Sequence, residues 1–288
     1  MAANELRVTP PAVTLQLKLI ETALGLALFE RTRRGLRLTD AGRYVLGVDA
    51  RIEAALTECG DVLNEMKGLG RGRVSVGVIS TAKYFAPRAV AAFAAAHPRV
   101  EVKLTEGNRE VIAAALERLD IDLAIMGSPP EGLAVEQRVM GNHPFIIVAP
   151  PGHRHAERRR VTLAALADER FLLREPGSGT RTLMEHLFAK QQVMPRAITE
   201  FGSNETIKQA VMAGLGVAFI SAHTVAAELA AGWLSALAVD GLPVVRQWYA
   251  VRPKQKQLLP AGMAMWDFLE AEGARFLPDP GGCAANGG

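Results

Sequence analysis

The 288-residue sequence predicts an α/β protein of two lobes, preceded by a small helix–hairpin unit and one long helix. Three observations predict it. From Val74 onward, apolar runs of strand length alternate with segments of helical spacing, the pattern of βαβ units around a mainly parallel sheet. Between Ala41 and Met66, apolar or small residues recur in unbroken steps of four and three, the seam of a long paired helix. Between Arg7 and Arg51 there are eight Lys and Arg against four Asp and Glu, so this segment holds more than the whole chain's excess of +3. Bases clustered in this way on a small domain are the electrostatic footprint of phosphate contacts.

The N-terminal unit reads as follows. Thr9 is an N-cap residue type, and Pro10 and Pro11 stand where a first helical turn tolerates proline. Val13, Leu17, Ile20 and Leu24 share one helical face, and Gly25 is placed to end the helix. Thr14, Gln16, Lys18 and Glu21 make a polar opposite face. Leu28 and Phe29 are an apolar anchor, after which Arg31-Thr-Arg-Arg-Gly-Leu-Arg37 fits a hairpin with a cationic tip and Gly35 at its turn. Leu38-Thr39-Asp40 caps the next helix. A polar-faced helix followed by a basic hairpin is a helix-turn-helix with a wing.

This stretch closely resembles the DNA-binding domain of LysR-type transcriptional regulators. The matching residues are Val8 to Val13, Gln16, Leu24-Gly25, Leu28 to Arg31, Arg34-Gly35 and Leu38 to Gly42. The resemblance implies that Thr9, Pro10, Pro11, Thr14, Gln16 and Lys18 face the major groove or its phosphates. It likewise puts Arg31, Arg33 and Arg34 of the wing on neighbouring phosphates or a minor groove. In the family, a complete helix and the start of a second precede the matched position. Here only Met1 to Val8 precede it, so residues 1–39 are expected to form a partial winged helix-turn-helix that lacks its first helix. Residues 40–68 then form the linker helix, which in the family pairs two subunits and sets the spacing of a dyad-symmetric operator. Cys59 falls on its seam and reads as a small buried hydrophobe.

Lys67 to Arg73 is a glycine-rich basic linker that precedes a strand, which argues against a dinucleotide fingerprint. Beyond it, residues 73–144 with 253–277 are expected to form one lobe and residues 145–252 the other, with a disordered tail at 278–288. Chain crossings between the lobes are expected near His143 to Phe145 and Val251 to Pro253. Two lobes joined in this way enclose a cleft. That is the periplasmic-binding-protein architecture, and it is also the effector domain of LysR-type regulators.

In such sheets ligands sit beyond the carboxyl ends of strands, at helix N-termini. Ser80, Thr81 and Lys83 follow the first strand, and Asn108 and Arg109 follow the second. Ser178, Gly179, Thr180 and Arg181 open a helix of the other lobe, as does Asn204. Together they predict a cleft lined by hydroxyls and cations, suited to a small carboxylate or phosphate.

The second region also resembles the CbbR type, the regulators of Rubisco (carbon-fixation) operons. The residues that carry this are Glu106 to Glu110, Asp122 to Gly127 with Pro129-Pro130, Arg174 to Arg181, Gly202 to Glu205 with Ile207 to Gln209, and Gln247 to Tyr249. The resemblance implies a Calvin-cycle effector such as a sugar phosphate, phosphoenolpyruvate or a nicotinamide nucleotide. It also implies promoter DNA and RNA polymerase as partners, and a homodimer that assembles into a homotetramer.

Other classes are weakly represented. No apolar run reaches transmembrane length, and the polar N-terminus is no signal peptide. Two cysteines make neither a disulfide framework nor a metal cluster, and a cytoplasmic setting is the simplest. Ser178 lacks the G-x-S-x-G context, and no Walker A run occurs. His153 and His155 lack metal spacing and read as part of a solvated basic loop. No catalytic residue, metal or cofactor is therefore expected. The competing reading is a soluble small-molecule-binding protein that has lost DNA binding; a weaker one is an α/β enzyme.

Overall fold

The computed structural model describes residues 9–32, 35–66 and 72–279, in two compact units, Met1–Glu58 and Cys59–Gly288. Met1 to Val8, Arg33, Arg34, most of the glycine-rich linker and the tail from residue 280 lie outside the described residues.

In the first unit, helix α1 spans Pro10–Leu24 and ends at Gly25, whose φ of +68° suits glycine. Thr9 starts the helix through its carbonyl, which accepts from the Ala12 and Val13 amides, but its hydroxyl makes no capping bond. The apolar face is narrower than the sequence predicts. Val13 and Leu17 are partly covered, whereas Ile20 and Leu24 are 45% and 49% exposed. Glu21, expected on the polar face, turns inward. Its carboxylate accepts from the amides of Leu28 at 2.7 Å and Phe29 at 3.2 Å, and so holds the turn that follows the helix.

Strands β1 (Phe29–Thr32) and β2 (Gly35–Leu38) form the expected antiparallel hairpin. Arg37 is neutralised across it by Glu30 at 2.8 Å. Thr39 joins both sides of the unit. Its hydroxyl donates to the Ala27 carbonyl and accepts from the Gly42 amide, capping helix α2 (Asp40–Met66, 27 residues). Along the seam Val45 and Val48 are partly covered, while Ile52, Ala55 and Cys59 are exposed on the single chain.

The second unit begins with β3 (Arg73–Ile79), α3 (Ala86–Ala96), β4 (Glu101–Gly107), α4 (Arg109–Glu117) and β5 (Leu123–Met126). β3 pairs in parallel with β4 on one side and β5 on the other. One face of this sheet packs Phe85, Phe93, Met265 and Trp266. The other packs Ile112 and Leu116 of α4.

The chain then runs through β6 (Val135–Ala149), a single 15-residue strand. The sequence shows only its last five residues, because Val135 to Asn142 carries charges and lacks an apolar run. The other lobe follows: β7 (Arg170–Arg174), α5 (Gly179–Gln191), β8 (Ala197–Phe201), α6 (Asn204–Met212), β9 (Ala218–Ser221), α7 (Ala226–Ala230) and β10 (Ser235–Leu237). β7 pairs in parallel with β8 and bridges β9 at Phe171 and Val217. Strand β11 (Val244–Pro253) returns to the first lobe, and helix α8 (Pro260–Glu272) closes it.

Two expectations change. The sheet is mixed rather than mainly parallel, since β6 pairs antiparallel with β9, β10 and β11, and β11 pairs antiparallel with β5. The return crossing lies at the bulge between Trp248 and Tyr249, a few residues before Val251 to Pro253, because Tyr249 to Val251 already pair with β5.

Candidate functional site: a polar cleft and a helix–wing surface

β3 lies between β4 and β5, and β7 lies between β8 and β9. Each is a point where successive crossovers leave in opposite directions, so the loops at their carboxyl ends diverge and leave a crevice. The two crevices face each other across a cleft. One lobe supplies Ser80, Thr81, Asn108, Arg109, Gly127 and Ser128; the other supplies Arg174, Ser178, Gly179, Thr180 and Leu183. His143, Phe145 and Arg246 of the crossing strands line it as well.

The hydroxyls are available. Thr81, Ser178 and Thr180 are buried, yet the side chains of Thr81 and Ser178 do not cap their own helices. Ser80 donates to the Gly107 carbonyl at 3.0 Å, and the side-chain Oδ1 of Asn108 caps α4 by accepting from the Val111 amide at 3.0 Å. The cations differ in their commitments. Arg109 holds Ser128 and the Pro129 carbonyl, each at 3.3 Å. Arg174 is bound by Glu175. Burial works against that carboxylate, but the Arg174 bonds hold its pKa below the ordinary value. Arg246 makes no ion pair among the described residues.

His143 forms the floor. It is 1% exposed, with Nε2 at 2.9 Å from the Ser221 hydroxyl and Nδ1 without a partner. Burial, with the nearby His223 and Arg246 charges, pushes its pKa well below the ordinary value, so the ring is neutral near pH 7. His223, behind it, accepts from the Trp248 indole at 3.0 Å, and burial lowers its pKa to about 4.

Seven of the ten predicted ligand residues thus meet: Ser80, Thr81, Asn108, Arg109, Ser178, Gly179 and Thr180. Three lie elsewhere. Lys83 is carried by the tight turn Ala82–Tyr84 to Glu106, at 3.2 Å. Arg181 is the third residue of α5, off the face shared by Thr180 and Leu183, and binds Glu185 and Glu200. Asn204 is sealed at the start of α6, where neither amide atom has a partner. Sequence reasoning missed His143, Arg174 and Arg246. Arg174 stood within the motif Arg174 to Arg181; the other two lie on crossing strands whose facing depends on pairing.

Tyr84 leans from one lobe over Lys208 of the other, ring centroid to Nζ 4.8 Å. Lys208 is buried and paired with Glu228 at 2.7 Å and Glu205 at 2.9 Å. The histidines expected on a solvated loop are instead tucked in: His153 lies 3.3 Å from Glu169, and His155 is buried with neither ring nitrogen partnered. No group of three or more His, Cys, Asp or Glu among the described residues could hold a metal ion.

On the first unit, Thr9, Pro11, Thr14, Gln16 and Lys18 are exposed along α1, and Arg31 is exposed on β1. Pro10 belongs to the same helix, whereas Arg33 and Arg34 lie outside the described residues. No helix among the described residues is long and apolar enough to cross a membrane.

Comparison with known proteins matches the two units of the chain separately. Residues 67–274 match the LysR substrate binding domain, and residues 1–43 match the bacterial regulatory helix-turn-helix protein, lysR family. The HTH-type transcriptional regulator CbbR of Xanthobacter flavus is 55% identical over 284 residues, 98% of this chain and 85% of that protein. CbbR of Rhodospirillum rubrum is 47% identical over 94% of this chain and 90% of that protein. Among solved structures, the Synechocystis PCC6803 CcmR regulatory domain in complex with 2-PG is 37% identical, covers 70% of this chain and 97% of that one, and superposes with a TM-score of 0.67. Full-length CbnR complexed with its target DNA shares the fold at 23% identity, covering 94% of this chain and 92% of that one, with a TM-score of 0.58. An α1–wing unit, a long helix and a two-lobed effector domain, matched along nearly the whole chain, place this protein in the LysR family of transcriptional regulators.

Proposed function

We propose that this protein controls carbon-fixation genes and that its cleft binds a small phosphorylated acid as effector. The observation that carries the effector reading is the cleft: two loops at strand ends, three buried hydroxyls of which Thr81 and Ser178 cap no helix, and Arg246, without an ion pair among the described residues, converge on one space. Helix N-termini and arginines together favour an anion. The identity to CbbR proteins supports the gene class, and the CcmR complex with 2-PG supports a phosphorylated acid within the wider set of sugar phosphates, phosphoenolpyruvate and nicotinamide nucleotides.

In this reading α1 enters the major groove of promoter DNA, with Thr9, Pro10, Pro11, Thr14, Gln16 and Lys18 at bases or phosphates. Arg31, Arg33 and Arg34 hold the flanking backbone. The exposed α2 seam at Ile52, Ala55 and Cys59 pairs two chains, and two dimers form a tetramer that meets RNA polymerase in the cytoplasm. The effector acts by favouring one arrangement of the lobes, which is the only way a ligand shifts such an equilibrium.

Fluorescence anisotropy tests this. The full chain is titrated onto the intergenic DNA beside its gene and onto scrambled DNA, with and without 2-phosphoglycolate. Selective binding that the ligand alters is expected. Binding indifferent to DNA sequence would overturn the regulator reading, and selective binding indifferent to every phosphorylated acid would overturn the effector reading alone.

A further inference from the structure

Tyr84 closes the tight turn Ala82–Tyr84, which starts at the cleft residue Thr81. Its neighbour Phe85 is fully buried, edge-on to Trp248, and fixes the turn to the crossing between the lobes. Tyr84 is only partly buried and points elsewhere. Its ring lies over the Lys208 ammonium of the other lobe, and its hydroxyl donates to Glu205 at 3.4 Å. One side chain thus reaches from the ligand-lining turn of one lobe to helix α6 of the other. Burial, with the Glu205 and Glu228 charges, holds the phenol above its ordinary pKa, so it remains a donor.

The cluster that Tyr84 meets is complete without it. Lys208, 4% exposed, is held by Glu228 at 2.7 Å and Glu205 at 2.9 Å, and both acids belong to its own lobe. Glu205 also accepts from Gln209 at 3.4 Å. Lifting Tyr84 away therefore strands no unpaired charge. It gives up one cation–π contact, strengthened by the desolvation of Lys208, and one long hydrogen bond. A contact of that size can be made and broken, whereas Phe85, at 0% exposure, moves only with the core. Lys83, next in the turn, offers no second bridge, since it pairs with Glu106 of its own lobe.

We propose that Tyr84 is a clasp between the lobes: its ring on Lys208 favours the closed cleft, and a ligand held by Thr81 and Thr180 favours the same arrangement, so clasp and ligand strengthen one another. The inference rests on the reading of the cleft as a ligand site. Two contacts that favour one state are coupled, and losing either weakens the other through the fall in that state's population.

Hydrogen exchange of the ligand-free full chain tests the clasp, and calorimetric titration with 2-phosphoglycolate tests its coupling to the cleft. Tyr84→Phe keeps the ring, Tyr84→Leu keeps apolar bulk without a π face, and Tyr84→Ala removes both. Exchange is read at the amides of Ser178 to Thr180, which line the cleft on the far lobe and belong to neither the turn nor α6. In Tyr84→Leu and Tyr84→Ala these amides should exchange about tenfold faster, because exchange follows the open population. Both variants should bind 2-phosphoglycolate about tenfold more weakly, and Tyr84→Phe should match wild type in both measurements. Agreement between Tyr84→Leu and Tyr84→Ala excludes a packing defect peculiar to one of them. Exchange unchanged in both would overturn the clasp. Faster exchange with unchanged affinity would overturn its coupling to the ligand. The same change in Tyr84→Phe would overturn the role of the ring in favour of the Glu205 hydrogen bond. Failure of wild type to bind 2-phosphoglycolate or any other phosphorylated acid would overturn the effector reading, and exchange alone would then decide the clasp.

Discussion

His143 and Trp248 stack face to face where the two crossing strands pass between the lobes, with ring centroids 3.8 Å apart and planes 16° from parallel. His143 is on β6 and Trp248 on β11, beside the bulge that precedes Tyr249. Phe85 meets the indole edge-on at 4.9 Å, and His223 accepts its N–H. The cleft floor and the connection between lobes are therefore one packed cluster. Trp248→Ala should cost about 3–5 kcal/mol, the range for deleting a buried aromatic ring. Denaturant unfolding measures it, and a loss under 1 kcal/mol would mean the cluster does not hold the crossing.

Acid should weaken the fold through His223. Its folded pKa is depressed to about 4, against an ordinary value of 6.5. The unfolded chain takes up a proton first as pH falls, so stability is present above pH 6.5 and is lost between about 6.5 and 4. The linkage amounts to about 3 kcal/mol for such a difference. Melting temperatures from pH 7.5 to 4.5 should fall steeply for wild type. They should fall less for His223→Asn, whose carbonyl can still accept the indole hydrogen.

Thr81 and Thr180 offer buried hydroxyls from opposite lobes. Thr81→Val and Thr180→Val keep volume and remove a donor, a loss of about 1 kcal/mol or five- to tenfold in effector affinity. DNA affinity without effector should hold. Equal loss of both would indicate misfolding.

Lys208 and Glu228 are a buried pair, with Glu205 at the edge. Lys208→Met leaves Glu228 buried without its cation and should cost about 3–5 kcal/mol. Adding Glu228→Leu should restore most of it, because two apolar groups there need no partners. A double-mutant cycle in urea gives the coupling; additivity of the two losses would contradict it.

Arg31 projects from the wing. If it holds a phosphate, Arg31→Ala should weaken binding to specific and scrambled DNA alike. It should also lower the slope of log affinity against log salt by about one. A loss confined to the specific site would assign it to base reading instead.

The order of elements was legible in the chain because it depends on local pattern. Pro10 and Gly25 bracket α1, the four–three seam marks α2, and apolar runs such as Val74 to Ile79 mark the strands. The ligand loops were legible for the same reason: Asn108 and Gly179 stand where a strand ends and a helix begins. Which side chains enter the cleft was decided by tertiary structure. β6 is buried on both faces from His143 to Ala149, so alternation carries no signal there. His143 faces the site because it pairs with Arg246, about a hundred residues away. Arg181 is as basic as Arg174 and lies in the same motif, yet helix rotation points it outward to Glu185 and Glu200 while the strand end turns Arg174 inward. Residue type and spacing set what each segment can become. Register, crossing and twist, which join residues distant in sequence, set where its chemistry points.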